Sequence, residues 1–257
     1  MSKKTFIIAN WKCNPTTKKE ADRIFKTVKE GINKTKKTQV VFCPPFVWIP
    51  SLISSENSGY ALGAQNCHWE NRGTFTGEVS PLMLKDLGCK YVIVGHSERR
   101  NYFGETDEII NRKIKTILKS NLIPILCIGE KEREDNEMGL IVEKQLKKDL
   151  DGILKSKIKD IIIAYEPIWA ISKGAIGSGK PCLPDDAVKA SLFIKKTLMT
   201  LYNRSTADKA VILYGGSVNS QNIFDYVKEE SINGVLVGGA SLQANDFIKI
   251  VKKTEEL

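Results

Sequence analysis

The stretch IIIAYEPIWAISKGAIGSGK, residues 161–180, decides the fold class because it begins as a strand that is apolar on both faces. A half-exposed strand would alternate apolar and polar residues, whereas the run at 161–164 is typical of a parallel strand covered on both sides. Glu166 follows this run almost directly. A carboxylate at that point is either the solvated end of a strand or a base that points into a site.

Seven more short β-branched runs make eight strand-like runs in all: TFIIANW, QVVFCPP, YALGAQN, YVIVGHS, IPILCIG, AVILYGG and GVLVGGA. Stretches of helical periodicity lie between them, for example at 16–31, 105–120, 184–203 and 243–253, and several follow a Ser, Thr or Asp that suits a helix N-cap. This alternation predicts an α/β fold with covering helices. Eight units in 257 residues favour a closed (β/α)₈ barrel, formed as a single domain over residues 1–257.

Composition and charge exclude several classes of protein. The apolar stretch at 6–9 is too short for a signal peptide or a membrane span, so we expect a cytoplasmic protein without a membrane partner. Six scattered cysteines without a CxxC pair, and only two histidines, suggest neither a disulfide framework nor a metal site. The net charge of +9 comes mainly from lysines on amphipathic segments that also carry acids, which indicates solvated helix faces rather than a nucleic-acid partner.

Polar side chains follow the apolar runs, at positions that all lie at the C-terminal mouth of such a barrel. Each of them has a plain alternative: Glu166 could be a surface strand end, and the stem of Lys12 could lie over apolar surface. His96 is followed by more charges than a core histidine would have, whereas His68 lies in a loop and is not expected to be catalytic. The polar residues of this set are Asn10, Lys12, Gln65, Asn66, His96, Glu98 and Glu166.

Glycine pairs end the last two strands, in YGGS at 214–217 and LVGGAS at 236–241. They are either tight turns or nests of backbone N–H groups that bind a phosphate, as the loops after strands seven and eight of many barrels do. A carboxylate, an imidazole, an ammonium group and a phosphate cradle together suit proton abstraction next to the carbonyl of a small phosphorylated compound.

Nine segments make the chain resemble the triosephosphate isomerase family throughout its length: NWKCN at 10–14, GAQN at 63–66, FTGEVS at 75–80, VGHSERR at 94–100, CIGE at 127–130, AYEPIWAI at 164–171, GSGK at 177–180, YGGSV at 214–218 and LVGGASL at 236–242. The resemblance implies a TIM barrel that interconverts dihydroxyacetone phosphate and D-glyceraldehyde 3-phosphate through an enediolate. The reaction belongs to glycolysis and gluconeogenesis, and neither a cofactor nor a metal is implied.

The resemblance also implies a role for each site residue. Glu166 would be the base, and His96 a neutral imidazole that donates to the substrate oxygens, as is established for this family. Lys12 would attract the phosphate and stabilise the enediolate, Asn10 would orient the oxygens, and Glu98 would hold Lys12. The backbone contacts to phosphate would come from Gly177, Ser217, Gly238 and Gly239.

The segment after Glu166 would be a lid, with Pro167-Ile168-Trp169 as its first hinge. The chain departs from the family pattern here, because ISKGA at 171–175 precedes IGSGK as an apparent five-residue insertion. The second hinge reads Lys180-Pro181-Cys182, where proline fixes one backbone dihedral. The base, the tip glycines and the lysine are retained, so we expect the enzyme to remain active. We expect the insertion to affect the rate at which the lid closes and not the chemical step.

The resemblance further implies a homodimer in which TFTGEVS at 74–80 reaches across to the partner. Thr76 would support the partner's Asn10 and the partner's Lys12, and Cys13 would lie beneath the partner's loop. The residues implied at the interface are Thr74, Phe75, Thr76, Gly77 and Glu78.

Two other functions fit the same barrel. A Schiff-base aldolase would need a lysine on a central strand, but the sixth strand ends in Glu166. A basic barrel that only binds phosphosugars or nucleic acid would be unaffected by the loss of the Glu166 carboxylate.

Overall fold

The computed structural model describes residues 4–32, 35–52, 59–132, 137–171 and 182–257. Eight parallel strands close into a barrel in chain order, because β1 pairs with both β2 and β8. The predicted (β/α)₈ fold is therefore confirmed. The strands are β1 (Thr5–Asn10), β2 (Thr38–Cys43), β3 (Tyr60–Ala64), β4 (Cys89–Val94), β5 (Ile123–Ile128), β6 (Ile162–Tyr165), β7 (Val211–Tyr214) and β8 (Gly234–Val237).

The helices of the described residues lie outside the barrel and follow the strands. They are α1 (Lys18–Gly31), α2 (Pro81–Asp86), α3 (Ser97–Tyr102), α4 (Asp107–Lys119), α5 (Glu137–Asp149), α6 (Pro184–Leu201), α7 (Arg204–Asp208), α8 (Ile223–Val227) and α9 (Ala244–Glu255). Short 3₁₀ helices cover Phe46–Ser51, Lys155–Asp160, Ile168–Ala170 and Gly239–Leu242. None of these helices is both long and apolar enough to span a bilayer.

The core has two parts, which explains why the run at 161–164 is apolar on both faces. Ile161 and Ile163 pack between the sheet and the helices, whereas Ile162 and Ala164 belong to the cluster inside the barrel. Successive side chains of a strand point to opposite faces, so a covered barrel strand needs apolar residues at every position. Each fully buried Ile contributes roughly 1.5–3 kcal/mol to stability.

The helix α1 illustrates how the outer layer is specified by sequence. Its buried residues Ala21, Ile24, Phe25 and Val28 recur at the three- and four-residue spacing of one helix face. Thr17 caps the helix, since its hydroxyl accepts a hydrogen bond from the backbone N–H of Glu20 at 3.3 Å. The charged residues of α1 are left for solvent, as expected from their spacing.

The end of α9 is tied to the start of β2 by the carboxylate of Glu255. It accepts hydrogen bonds from the backbone N–H groups of Lys36, Lys37 and Thr38 at 2.8, 3.0 and 2.6 Å. Partial burial would raise the pKa of Glu255, but these hydrogen bonds outweigh burial and lower it. A lowered folded-state pKa means that this carboxylate stabilises the fold above its unfolded-state pKa and loses that effect as the pH falls through the folded-state value.

Replacing Glu255 with glutamine should therefore lower the free energy of unfolding at pH 7 by about 1 kcal/mol, since the amide can keep only part of these charge-assisted hydrogen bonds. The difference from the unchanged chain should shrink as the pH falls below about 4. Urea unfolding at several pH values measures both effects. The neighbouring exposed Glu256, replaced in the same way, is the control. An equal loss in both variants, or a loss that does not depend on pH, would contradict the account.

Candidate active site

The first strand delivers Asn10 and Lys12 to the mouth of the barrel. Lys12 has a backbone φ of +53°, a left-handed conformation that a non-glycine residue adopts at a cost. Two hydrogen bonds hold its backbone there: Asn10 Oδ1 accepts from the Lys12 N–H at 3.1 Å, and Gln65 Nε2 donates to the Lys12 carbonyl at 2.9 Å. Gln65 Nε2 also donates to the carbonyl of Cys43 at 2.8 Å, which ties this turn to β2. The Lys12 ammonium group then donates to Glu98 Oε1 at 2.6 Å.

The fourth strand delivers His96 through a sharp turn at Gly95. Gly95 has a φ of +71°, and a Cβ there would lie 2.9 Å from the carbonyl oxygen of Cys127, so only glycine fits. His96 caps α3, since its Nδ1 accepts a hydrogen bond from the backbone N–H of Glu98 at 3.3 Å. An accepting Nδ1 leaves the proton on Nε2, which defines a neutral imidazole with its donor directed away from α3.

The sixth strand delivers Glu166, whose side chain is almost fully buried. Its Oε2 accepts from the backbone N–H of Ser97 at 3.1 Å, and its Oε1 lies 3.3 Å from His96 Nε2. Two glycines leave room for it: a Cβ at Gly129 would lie 1.9 Å from the Glu166 carbonyl oxygen, and one at Gly215 would lie 2.9 Å from its Cγ. Glu166 is therefore a carboxylate held inside a site and not a solvated strand end.

Cys127 lies beneath this carboxylate, inside the barrel. Burial raises the pKa of its thiol well above the usual value, and the neighbouring charge of Glu166 raises it further. The thiol thus stays protonated at neutral pH. The Tyr91 hydroxyl, deeper in the barrel, also has its pKa raised by burial.

The ends of β7 and β8 form a backbone cradle beside Lys12. A Cβ added to Gly239 would meet no atom within 4 Å, and one added to Gly238 would meet only Lys12 Cε, at 3.5 Å. The segment after β7 is held by Asn222, whose Nδ2 donates to the carbonyl of Ser217 at 3.2 Å. The turn after β8 is held by Ser241, whose N–H and hydroxyl both donate to the Gly238 carbonyl at 2.8 and 2.6 Å. Exposed backbone of this kind suits an anion.

One cavity of about 500 Å³, which includes its open mouth, joins these groups. Most of the residues proposed from the sequence meet there, and Glu98 lies just outside it against Lys12 and His96. Gly177 lies outside the described residues, as do residues 172–175 of the insertion and Pro181. The cavity is lined by Asn10, Lys12, His96, Glu166, Ile171, Gly215, Gly216, Ser217, Val218, Leu236, Gly238, Gly239 and Ala240.

Two supporting residues receive no role from the sequence alone. Gln65 holds the backbone of Lys12, although its place in the sequence marks it only as a polar residue after the third strand. Glu130, within the CIGE segment, is fully buried and accepts from the Tyr165 hydroxyl at 2.8 Å and the Trp169 indole N–H at 2.9 Å. Its carbonyl also accepts from the N–H of Ile168 at 3.0 Å, so Glu130 fastens the chain where the predicted lid begins. The one sequence signal for Glu130 is its position, since it is a charged residue that follows a buried strand almost directly.

His68 lies away from the cavity, in the loop after β3. Its ring packs between Trp69 and Phe75, with centroids 4.2 and 4.3 Å apart, and its Nδ1 lies 3.6 Å from Glu78 Oε2. It therefore shapes the loop at 74–80. Within the ranges that the structure describes, no group of three or more His, Cys, Asp or Glu residues is arranged to hold a metal ion.

The chain is similar to known proteins over nearly its whole length. Residues 5–254 match the family model described as triosephosphate isomerase. Proteins with the same name are 46% identical in Carboxydothermus hydrogenoformans, over 97% of this chain and 98% of the relative, and 43% identical in Dictyoglomus thermophilum, over 97% and 99%. One from Aquifex aeolicus is 46% identical over 95% of this chain and 97% of its own length.

Proposed function

The chain belongs to the triosephosphate isomerase family and interconverts dihydroxyacetone phosphate and D-glyceraldehyde 3-phosphate in glycolysis, and we propose that Glu166 is the base of this reaction. The observation that carries the proposal is the approach of Glu166 Oε1 to within 3.3 Å of His96 Nε2 at the cavity wall. A base and an electrophile that line one small cavity can act on the same ligand. Turnover of D-glyceraldehyde 3-phosphate by the purified chain, and its loss when Glu166 is replaced, test this role.

In the proposed mechanism the Glu166 carboxylate removes a proton from the hydroxymethyl carbon of dihydroxyacetone phosphate. The electrons of that C–H bond form the enediolate, and the proton returns to the neighbouring carbon to give the aldehyde. In the structure this carboxylate is engaged with Ser97 and lies next to His96. It therefore has to leave the Ser97 N–H and turn into the cavity when substrate enters. The narrow space beside Gly215 bounds that movement.

His96 is proposed as the electrophile. Because its Nδ1 accepts from the Glu98 N–H, its Nε2–H is available to donate to the carbonyl oxygen and then to the enediolate oxygen. A neutral imidazole can donate this hydrogen bond and take part in proton transfer between the two oxygens. Asn10, at the cavity wall next to Lys12, is proposed to orient those oxygens.

Lys12 is proposed to stabilise both anionic groups of the substrate. Its side chain passes close to Gly238 in the backbone cradle and ends at Glu98, so the ammonium group lies between the proposed phosphate site and the reacting oxygens. Glu98 positions this cation. The phosphate would contact the backbone near Ser217, Gly238 and Gly239, and the contribution of Gly177 stays a prediction from the family resemblance.

We also propose that the chain forms a homodimer through the segments that follow β2, β3 and β4. Of the thirteen large apolar side chains that are exposed among the described residues, six lie on these segments, where a partner could cover them. The ring of Phe75 is 40% exposed, but its contact with His68 fixes it in place, so the loop is ordered before association. Thr74, Phe75, Thr76, Gly77 and Glu78 would form the contact with the partner. The exposed apolar residues of these segments are Val47, Phe75, Leu82, Met83, Tyr102 and Phe103.

Replacing Phe75 with serine should weaken dimerisation by roughly thirtyfold or more, since an aromatic anchor at an interface commonly contributes about 2 kcal/mol. Sedimentation equilibrium measures the change. The matched control is Phe224 of α8, which is 46% exposed on another part of the surface, and its replacement with serine should leave the dimer unchanged. A monomeric, fully active starting protein would contradict the proposal, and so would equal weakening by both substitutions.

We further propose a single domain and a cytoplasmic location. The proposal that residues 1–257 form one domain is supported by the pairing of β1 with β8 and by the packing of α9 against α1 and β2. A cytoplasmic location is supported by the six cysteines, all of them free thiols and five of them buried, which suits a reducing compartment.

A further inference from the structure

A second cavity lies on the side of the barrel opposite the active site. It is formed by the 3₁₀ helix Lys155–Asp160, which precedes β6, and by the segment around α7, which precedes β7. The N-terminal ends of the strands lie at this side, far from Glu166 and His96. The cavity has about 500 Å³ of space open to solvent and is lined by Lys155, Ser156, Lys159, Asn203, Ser205, Thr206 and Lys209.

Three exposed lysines line this cavity without an acidic partner in contact. Lys155, Lys159 and Lys209 have no carboxylate within 4.0 Å among the residues that the structure describes. The acids of the same two segments pair with other cations, Asp160 with Lys157 at 3.6 Å and Asp208 with Arg204 at 3.9 Å. Three like charges around one cavity repel each other, and a multivalent anion between them would relieve that repulsion.

The remaining lining residues are suited to donating hydrogen bonds. Ser156 and Ser205 supply hydroxyl donors, whereas the hydroxyl proton of Thr206 is already engaged with Asn203. Asn203 Oδ1 already accepts from the N–H and the hydroxyl of Thr206, at 3.0 and 2.8 Å, so the side-chain amide of Asn203 offers a ligand its nitrogen. Among the residues that the structure describes, no acidic, aromatic or aliphatic side chain lines the cavity. The lining therefore selects an anion with several oxygens and provides no surface on which a nucleobase could stack.

We propose that this cavity, named here the lysine cleft, binds the phosphate chain of a polyphosphate compound. A di- or triphosphate carries enough charge and enough acceptor oxygens to engage the three lysines and the hydroxyl groups together. A monophosphate carries fewer of both and binds more weakly. The phosphate chain could belong to a nucleotide or to inorganic polyphosphate. The lysine cleft should bind both with similar affinity, because it contacts only the phosphate groups.

The experiment is a calorimetric titration of the full-length protein with inorganic tripolyphosphate, without divalent cations and with the active site saturated by the equilibrium mixture of its two triose phosphates. One tripolyphosphate should bind per chain, and more tightly than inorganic phosphate. The triple variant K155Q/K159Q/K209Q should bind it about tenfold more weakly or worse, given that each partly screened charge contact contributes modestly. If this variant binds tripolyphosphate more weakly but keeps the normal isomerase rate, the lysine cleft is a binding site distinct from the active site.

The control is K19Q/K26Q/K29Q on α1, which removes three exposed lysines and the same total charge. Its affinity for tripolyphosphate should stay within about twofold, since only distant surface charge is lost. An equal loss in both triple variants, or no saturable binding to the unchanged protein, would overturn the proposal. A nucleoside triphosphate should bind within about threefold of tripolyphosphate, because the nucleoside finds no partner. A nucleotide preference above about tenfold would contradict recognition through the phosphate chain alone.

Discussion

Glu166→Gln should lower kcat by about two to four orders of magnitude, the usual contribution of a positioned general base. Glutamine has nearly the same shape and can still accept the hydrogen bond from the Ser97 N–H through its amide oxygen. The cavity should therefore keep its form while the group that takes the proton is lost. KM should change much less than kcat, because the proposed phosphate contacts come from Lys12 and from the segments that follow β7 and β8. A coupled assay that consumes one triose phosphate measures both constants.

The control for this substitution is Glu143→Gln, which neutralises a surface carboxylate paired with Lys147. Its kinetic constants should equal those of the unchanged enzyme. Thermal unfolding of the Glu166 variant should occur near the normal temperature, which separates lost chemistry from lost structure. Unchanged turnover in a folded Glu166→Gln protein would favour a barrel that only binds its ligand and would remove Glu166 from the mechanism.

Lys12→Gln should lower kcat/KM by about two to three orders of magnitude or more, since one donor to a developing oxyanion alone contributes that much. Lys12 is also expected to attract the phosphate, so KM should rise and kcat should fall. Its loss has a second consequence, because the Glu98 carboxylate, 2.6 Å from the ammonium group, would lose its partner beside an anionic substrate. The single substitution therefore removes an attraction and leaves a repulsion.

The double variant K12Q/E98Q separates these two effects. If Glu98 acts only by positioning Lys12, removing the carboxylate as well should restore part of the affinity, and the double variant should show a lower KM than K12Q. Lys18→Gln, a nearby exposed lysine paired with Asp22, is the control for loss of one positive charge and should keep normal kinetics. A K12Q enzyme with normal KM and kcat would contradict the assigned role of Lys12.

Much of the fold could be predicted because the barrel repeats one local pattern. The run at 161–164 needed only strand geometry for its interpretation: apolar residues at every position mean a strand covered on both sides, and the structure places alternate residues in the two core clusters. Because Glu166 follows that run, the sequence also predicts that it lies at the C-terminal mouth of the barrel. The short helices α2, α3 and α8 lie outside the helical stretches named from the sequence, and so does α7, since five or six residues carry too little periodicity to detect.

The contacts that shape the site could not be predicted from the sequence by local patterns. The bond between Ser97 and Glu166 joins residues 69 positions apart, and the one between Gln65 and Lys12 joins residues 53 apart. In both pairs, the type of one residue gives no indication of which residue it will contact. The left-handed backbone conformation of Lys12 could not be predicted either, because a lysine side chain does not favour a positive φ. The lysine cleft brings together two segments about fifty residues apart, and its lysines looked like an ordinary solvated face.

The most direct test of the account is hydrogen exchange at the hydroxymethyl carbon of dihydroxyacetone phosphate, followed by proton NMR in D₂O. One carboxylate that reaches the substrate from one side of the cavity can remove only one of the two hydrogens on that carbon. The unchanged enzyme should exchange a single hydrogen stereospecifically, and the Glu166→Gln enzyme, at equal concentration, should exchange it at least about a hundredfold more slowly. Exchange of both hydrogens, or undiminished exchange by the variant, would contradict the account.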